Sequence, residues 1–190
     1  MENLQQRFAG CCRRMGIGEL PRPIFDTAPA ALRFRIGGEE KIYLGDHRKP
    51  NGAYIENALD RALAIYENLP GTPDILRIDN CPELRLPGLP TPDLRTEDSC
   101  YWDLVYKDTG WLRKLFREII RADLDSAGCE DLIDSVYLLC SPADVLFHLY
   151  DDRAADVAAA DPALLGPLRQ ACGQWIPEEA QMRVREMFGE

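Results

Sequence analysis

The chain has 190 residues, 46% apolar, 28% charged and 8% aromatic, a balance that fits one globular domain and excludes intrinsic disorder and fibrous classes. Its 22 Lys and Arg against 32 Asp and Glu give a net charge of −10, which disfavours direct nucleic-acid or anionic-lipid binding and favours basic partners. No stretch approaches the roughly 18 to 20 uncharged apolar residues of a bilayer span, and Met1 to Arg7 lacks the apolar run of a signal peptide, so a cytoplasmic protein without membrane contact is expected.

Leu4, Phe8, Cys11 and Met15 recur at helical spacing until Gly16-Ile17-Gly18, which predicts a short amphipathic helix. Pro21, Pro23 and Pro29 make the next stretch extended. Leu32, Phe34 and Ile36 then alternate with Arg33 and Arg35 before Gly37-Gly38, the pattern of a half-buried strand, with Lys41 to Gly45 expected to return as its hairpin partner. Asn51 can cap a helix whose inner face carries Ile55, Leu59, Leu63 and Tyr66 and which Pro70-Gly71 ends. Asp74 to Asp79 reads as a strand, and a Pro-rich connection near residues 82–98 follows it. Tyr101 to Lys107 reads as a strand and Trp111 to Leu124 as a helix; Val136 to Cys140 and Val145 to Tyr150 form two adjacent strands. Asp161-Pro162 starts a helix and Pro177 begins the last one. These elements predict a single α+β domain over residues 1–190, mostly antiparallel sheet with helices packed on one face.

Seven cysteines without a C-x-x-C pair read as buried free thiols, with no metal site and no cofactor expected. Arg113, Arg117 and Arg121 repeat every four residues beside Lys114, an arrangement expected to serve internal ion pairs. Tyr101, Trp102, Tyr106 and Trp111 read as packing residues.

The block Phe147-His148-Leu149-Tyr150-Asp151-Asp152-Arg153, with Asp161-Pro162-Ala163-Leu164-Leu165-Gly166-Pro167-Leu168 and Trp175-Ile176 downstream and the Tyr54 to Asn68 helix upstream, resembles a bacterial family of unknown function that carries a Phe-His-aliphatic-Tyr-Asp-Asp-Arg strand. Where that family usually has Gly after the Arg, this chain has Ala154, and a turn needing positive φ there would be strained. The resemblance implies no reaction.

Period-two alternation would put His148, Tyr150 and Asp152 on one face, where an imidazole, a phenol and a carboxylate could handle protons or hold a divalent ion. The alternative is a structural motif of His148, Tyr150 and Arg153, in which Asp151 or Asp152 pairs with Arg153 and Asp156 caps the next turn. Without a nucleophile, second His or phosphate loop beside them, no catalytic residue is assigned. The acids Asp123, Asp125, Glu130, Asp131, Asp134, Asp151, Asp152 and Asp156 fall in a stretch whose one base is Arg153, and they are expected to form a docking surface for a basic protein. The chain thus resembles small acidic immunity proteins that occlude a cognate toxin, a nuclease being one fit, with homo-oligomers left open. An enzyme or ligand-binding domain centred on His148, Tyr150 and Asp152 is the alternative.

Overall fold

In the computed structural model, which describes residues 2–18, 20, 24–45, 49–80, 89–105, 109–124, 132–133 and 135–190, Asn3 opens helix α1 (Leu4–Arg14). The Asn3 side chain accepts the backbone N–H of Gln6 at 2.9 Å while Gln6 Oε1 accepts that of Asn3 at 3.0 Å, so two otherwise orphaned donors are satisfied reciprocally. Phe8, Cys11 and Cys12 form its buried face, and Gly16 leaves the helix at φ 74°, a conformation that favours glycine.

Strands β1 (Ala31–Arg35), β2 (Tyr43–Leu44) and β3 (Lys49–Pro50) come before α2 (Gly52–Glu67), which Asn51 caps through Ala53 N–H at 3.1 Å. Strands β4 (Ile75–Asp79), β5 (Leu94–Arg95) and β6 (Ser99–Asp103) follow, then α3 (Leu112–Ala122), β7 (Val136–Cys140), β8 (Val145–Leu149) and β9 (Ala154–Ala159). A short 3-10 turn at Pro162–Leu165, whose Ala163 N–H is capped by Asp161, leads to α4 (Gly166–Cys172) and α5 (Glu178–Phe188).

The main sheet has the order β1-β9-β8-β7-β4-β6-β5, every pair antiparallel, so the α+β class with a mostly antiparallel sheet holds. The expected hairpin after β1 does not: β1 pairs with β9 from far along the chain, and β2 pairs instead with β3 in a small separate sheet. β9, the Ala-Ala-Asp-Val-Ala-Ala segment, has few of the β-branched or aromatic residues that mark a strand; its neighbours on both sides, β1 and β8, override that low propensity.

Helices α2 and α3 share one face. Phe147 of β8 stacks on Phe116 of α3 at 5.7 Å between centroids and meets the edge of Tyr66 of α2 at 6.4 Å. Arg117 pairs with Glu56 at 2.6 Å and Arg113 with Asp60 at 3.4 Å, so the arginine stripe ties α3 to α2. Helix α1 covers part of the other face, where Phe8 meets the edge of Tyr101 at 6.1 Å. Arg7 to Asp74 and Arg14 to Asp144, 2.6 and 2.7 Å, fasten it to the sheet rim. Buried apolar residues from Phe8 to Val184 form one continuous core cluster, and Cys11, Cys12, Cys140 and Cys172 sit in it as free thiols, with burial pushing Cys11 and Cys140 up to about 12. Among the described residues no helix is long and apolar enough to cross a membrane.

Candidate functional site

The antiparallel register aligns one residue from each of six strands on the α1 side of the sheet: Arg33, Asp156, His148, Tyr137, Arg77 and Tyr101. Alternation puts the apolar Phe147, Leu138 and Leu76 on the opposite face, toward α2 and α3. A row of charged and aromatic side chains thus runs through the middle of the molecule.

Each charge in the row has a counter-charge. Asp156, at 0% exposure, accepts Arg33 Nε at 3.0 Å and Nη2 at 3.2 Å, the Phe25 backbone N–H at 2.7 Å and the Tyr150 hydroxyl. Burial nevertheless lifts its carboxyl to about 6, against the lowering effect of Arg33. Arg77 donates to Asp79 at 2.6 and 3.0 Å, Asp79 also accepts Ser99 Oγ at 2.7 Å, and the guanidinium lies over the rings of Phe8 and Tyr101 at 5.3 and 5.7 Å. His148, also at 0% exposure, is held between Tyr137, stacked at 4.3 Å, and Tyr150, edge-on at 4.1 Å.

The expected trio is therefore split. Tyr150 stays with His148, but β8 ends at Leu149 and the chain bends over residues 151–153, so Asp152 turns to the other side and accepts the Tyr54 hydroxyl of α2 at 2.5 Å. Alternation holds only while the strand continues. Ala154 begins β9 without positive φ, so it is unstrained where the family pattern has Gly.

A docking surface drawn through all eight acids is corrected as well. Asp151, Asp152 and Asp156 are 3%, 2% and 0% exposed, since the block bends inward to bond Arg153, Tyr54 and Arg33 rather than facing solvent. Asp123 is exposed at the end of α3; Asp125, Glu130, Asp131 and Asp134 lie outside the described residues. Asp156 does not cap a turn: it occupies the centre of β9.

Arg153 donates its backbone N–H to Asp151 at 2.7 Å and its Nε at 2.8 Å, and lies 3.8 Å from Asp123. With its side chain 70% exposed, Arg153→Ala is expected to lower stability by less than about 1 kcal/mol in a denaturant melt, because solvent screens the ion pair and the backbone bond to Asp151 survives. A loss above about 2 kcal/mol would show that Arg153 anchors the bend. Around it the carboxylates of Asp123, Asp151 and Asp152 each place an oxygen within 4.8 Å of the other two.

On the α1 side a cleft of about 400 Å³ opens over the row, lined by Phe8, Cys12, Leu20, Arg77, Asp79 and Tyr137. Arg33, Arg77 and Tyr137 were not among the residues expected at a site. The signal that finds them is a charged or phenolic residue at the centre of a strand whose neighbours are all apolar, as Arg77 is between Leu76 and Ile78.

A family model described as a domain of unknown function, DUF3885, matches residues 81–180, and the chain belongs to that family. The matched stretch contains β5 to β9, α3 and α4, with His148, Tyr150, Arg153 and the eight acids; α1 and α2 fall before it. No curated protein and no solved structure matches the chain.

Proposed function

We propose that this family member is a non-enzymatic module that binds a basic protein in the cytoplasm, acting as an immunity protein that occludes a cognate toxin. The observation that carries this reading is the β2–β3 hairpin. It stands apart from the main sheet and presents three consecutive apolar residues, Ile42, Tyr43 and Leu44, at 38%, 36% and 51% exposure, preceded by the exposed Glu39, Glu40 and Lys41. An exposed apolar anchor on a chain of net charge −10 suits a partner whose apolar patch is ringed by Lys and Arg. The groups first considered for proton chemistry support the same reading, since His148 is sealed in the core between the rings of Tyr137 and Tyr150, Tyr150 donates to the buried Asp156, and Asp152 is buried and turned away to Tyr54.

The test pairs the chain with the product of the gene beside its own. Co-expression is expected to protect cells from that product, and association is expected to slow by roughly tenfold or more from low to high salt, as steering by net charge −10 requires. Tyr43→Asp combined with Leu44→Asp is expected to abolish protection while the melting temperature stays near wild type. Both side chains are exposed, so the fold tolerates the change. Absence of protection by the wild-type chain, or protection that survives both substitutions, overturns the reading.

A second reading rests on the cleft. Its polar floor of Arg77, Asp79 and Tyr137 beside the apolar Phe8 and Leu20 suits a small ligand with one polar end, which would make the domain a ligand binder whose Tyr137 wall is backed by His148. A small-molecule screen by thermal shift separates the two: a hit lost in Tyr137→Ala favours the cleft.

A further inference from the structure

We propose that Asp123, Asp151 and Asp152 form a binding site for one hard divalent cation, calcium fitting best. The three carboxylates come from two places, the end of α3 and the bend between β8 and β9, and converge so that one oxygen from each lies within 4.8 Å of the other two. Oxygens that close fit around one hard divalent cation, and the irregular set of carboxylates from two separate segments suits calcium's flexible coordination better than the strict octahedron of magnesium. Oxygen-only donors select such hard ions over zinc or copper.

Proximity of acids alone would not make a site, and the independent observation is at Asp152. This side chain is 2% exposed, and only one of its oxygens is bonded: Oδ2 accepts the Tyr54 hydroxyl, while the buried Oδ1 has no hydrogen-bond partner among the described residues. A buried carboxylate oxygen left without a partner is costly, and such atoms are rare unless a water or an ion takes them. The charge there is unbalanced too. Three carboxylates converge there against one guanidinium, that of Arg153. Asp123 also sits at the C-terminal end of α3, where the helix carries its negative partial charge and favours a cation.

Arg153 supplies a counter-charge of its own. It reaches Asp151 and Asp123, yet three carboxylates and one guanidinium leave two formal negative charges in the cluster. Because its side chain is largely exposed, Arg153 is free to swing out as an ion enters. It therefore acts as a built-in competitor that weakens cation binding without occupying Oδ1 of Asp152.

Calorimetric titration of the full chain with calcium, and separately with magnesium, tests the proposal. One equivalent of calcium is expected to bind and to raise the melting temperature by roughly 2 to 4 °C at saturation. Asp123→Asn and Asp152→Asn are each expected to weaken binding by roughly tenfold or more, and Arg153→Ala to tighten it severalfold, since the competing cation is gone. Asp123 is exposed, so its variant reports even if the Asp152 change disturbs folding. Magnesium binding as tightly as calcium would retain the hard-cation site and overturn the preference for calcium. No heat from either ion in wild type and Arg153→Ala, or binding unchanged in Asp123→Asn, overturns the site.

Discussion

Replacing Asp156 by Asn is expected to cost about 3 to 5 kcal/mol at neutral pH and to remove an acid-favoured component of stability. The carboxylate is fully buried at the centre of β9 and collects four donors from three directions: Arg33 twice, Phe25 N–H and the Tyr150 hydroxyl. An Asn keeps one acceptor oxygen and turns an NH2 toward groups that are themselves donors, so Arg33 loses its counter-charge and at least one donor faces another. In the unfolded chain the carboxyl titrates near its model value of 3.8, and in the fold burial lifts it to about 6. Between those values the folded state holds the proton more tightly. The contribution of this group to stability is therefore greatest below about pH 4 and falls as pH rises through about 6, by roughly 3 kcal/mol in all.

Urea melts at about pH 4.5 and about pH 7 measure both effects. Salt-bridged carboxylates such as Asp144, held below the usual range by Arg14, slope the other way, so the informative quantity is the difference between wild type and variant. The destabilisation by Asp156→Asn is expected to be larger at the acidic pH, by about 2 kcal/mol, because the wild type alone gains stability there. An equal loss at both would show that Asp156 is ionised in the fold throughout.

This residue also marks how far sequence reasoning reached. Asp156 is expected on an acidic docking surface because it stands with seven other acids in a stretch whose one base is Arg153, and linear charge density carries no information about which acids turn inward. Arg33, the base that neutralises it, lies more than 120 positions away, |i−j| 123, and joins it only through the β1–β9 pairing. The same pairing explains the missed strand and the misplaced hairpin, since nothing local in Ala154–Ala159 signals a strand and β1 had no visible partner. By contrast α1, α2, α3, β4, β7 and β8 were legible, each carrying a strong period, or a cap such as Asn51, within its own residues. Hydrophobic period finds elements; long-range register decides what their polar residues meet.

At the candidate cation cluster the Tyr-Asp-Asp-Arg block was recognisable as unusual, but Asp123 and Tyr54, which complete its surroundings, come from α3 and α2. The exposed apolar run Ile42 to Leu44 was hidden for the opposite reason: Lys41 to Gly45 are expected to pair with β1, whereas Tyr43 and Leu44 pair with β3 apart from the main sheet.

Gly37→Ala is expected to destabilise the fold by about 1 to 3 kcal/mol, although Gly37 has ordinary backbone angles. A methyl group there would stand 2.7 Å from the Tyr54 hydroxyl oxygen and 3.2 Å from the Asp152 carbonyl oxygen, closer than packed atoms allow. The hydroxyl has to give way, and in doing so it releases its bond to the buried Asp152 carboxylate. Tyr54→Phe alone removes the same bond and is expected to cost about 1 to 3 kcal/mol, because Asp152 is then left with neither oxygen bonded by a side chain it now meets. If both changes act through that hydroxyl they cannot add. In Tyr54→Phe the nearest ring atom of residue 54 is the carbon 3.5 Å from the new methyl, an ordinary contact, so Gly37→Ala in that background is expected to lose about 1 kcal/mol less than in wild type. Denaturant melts of the wild type, both single variants and the double variant close the cycle. Additive losses would place the tight contact at the Asp152 carbonyl instead, and would mean that the hydroxyl is not what requires glycine at position 37.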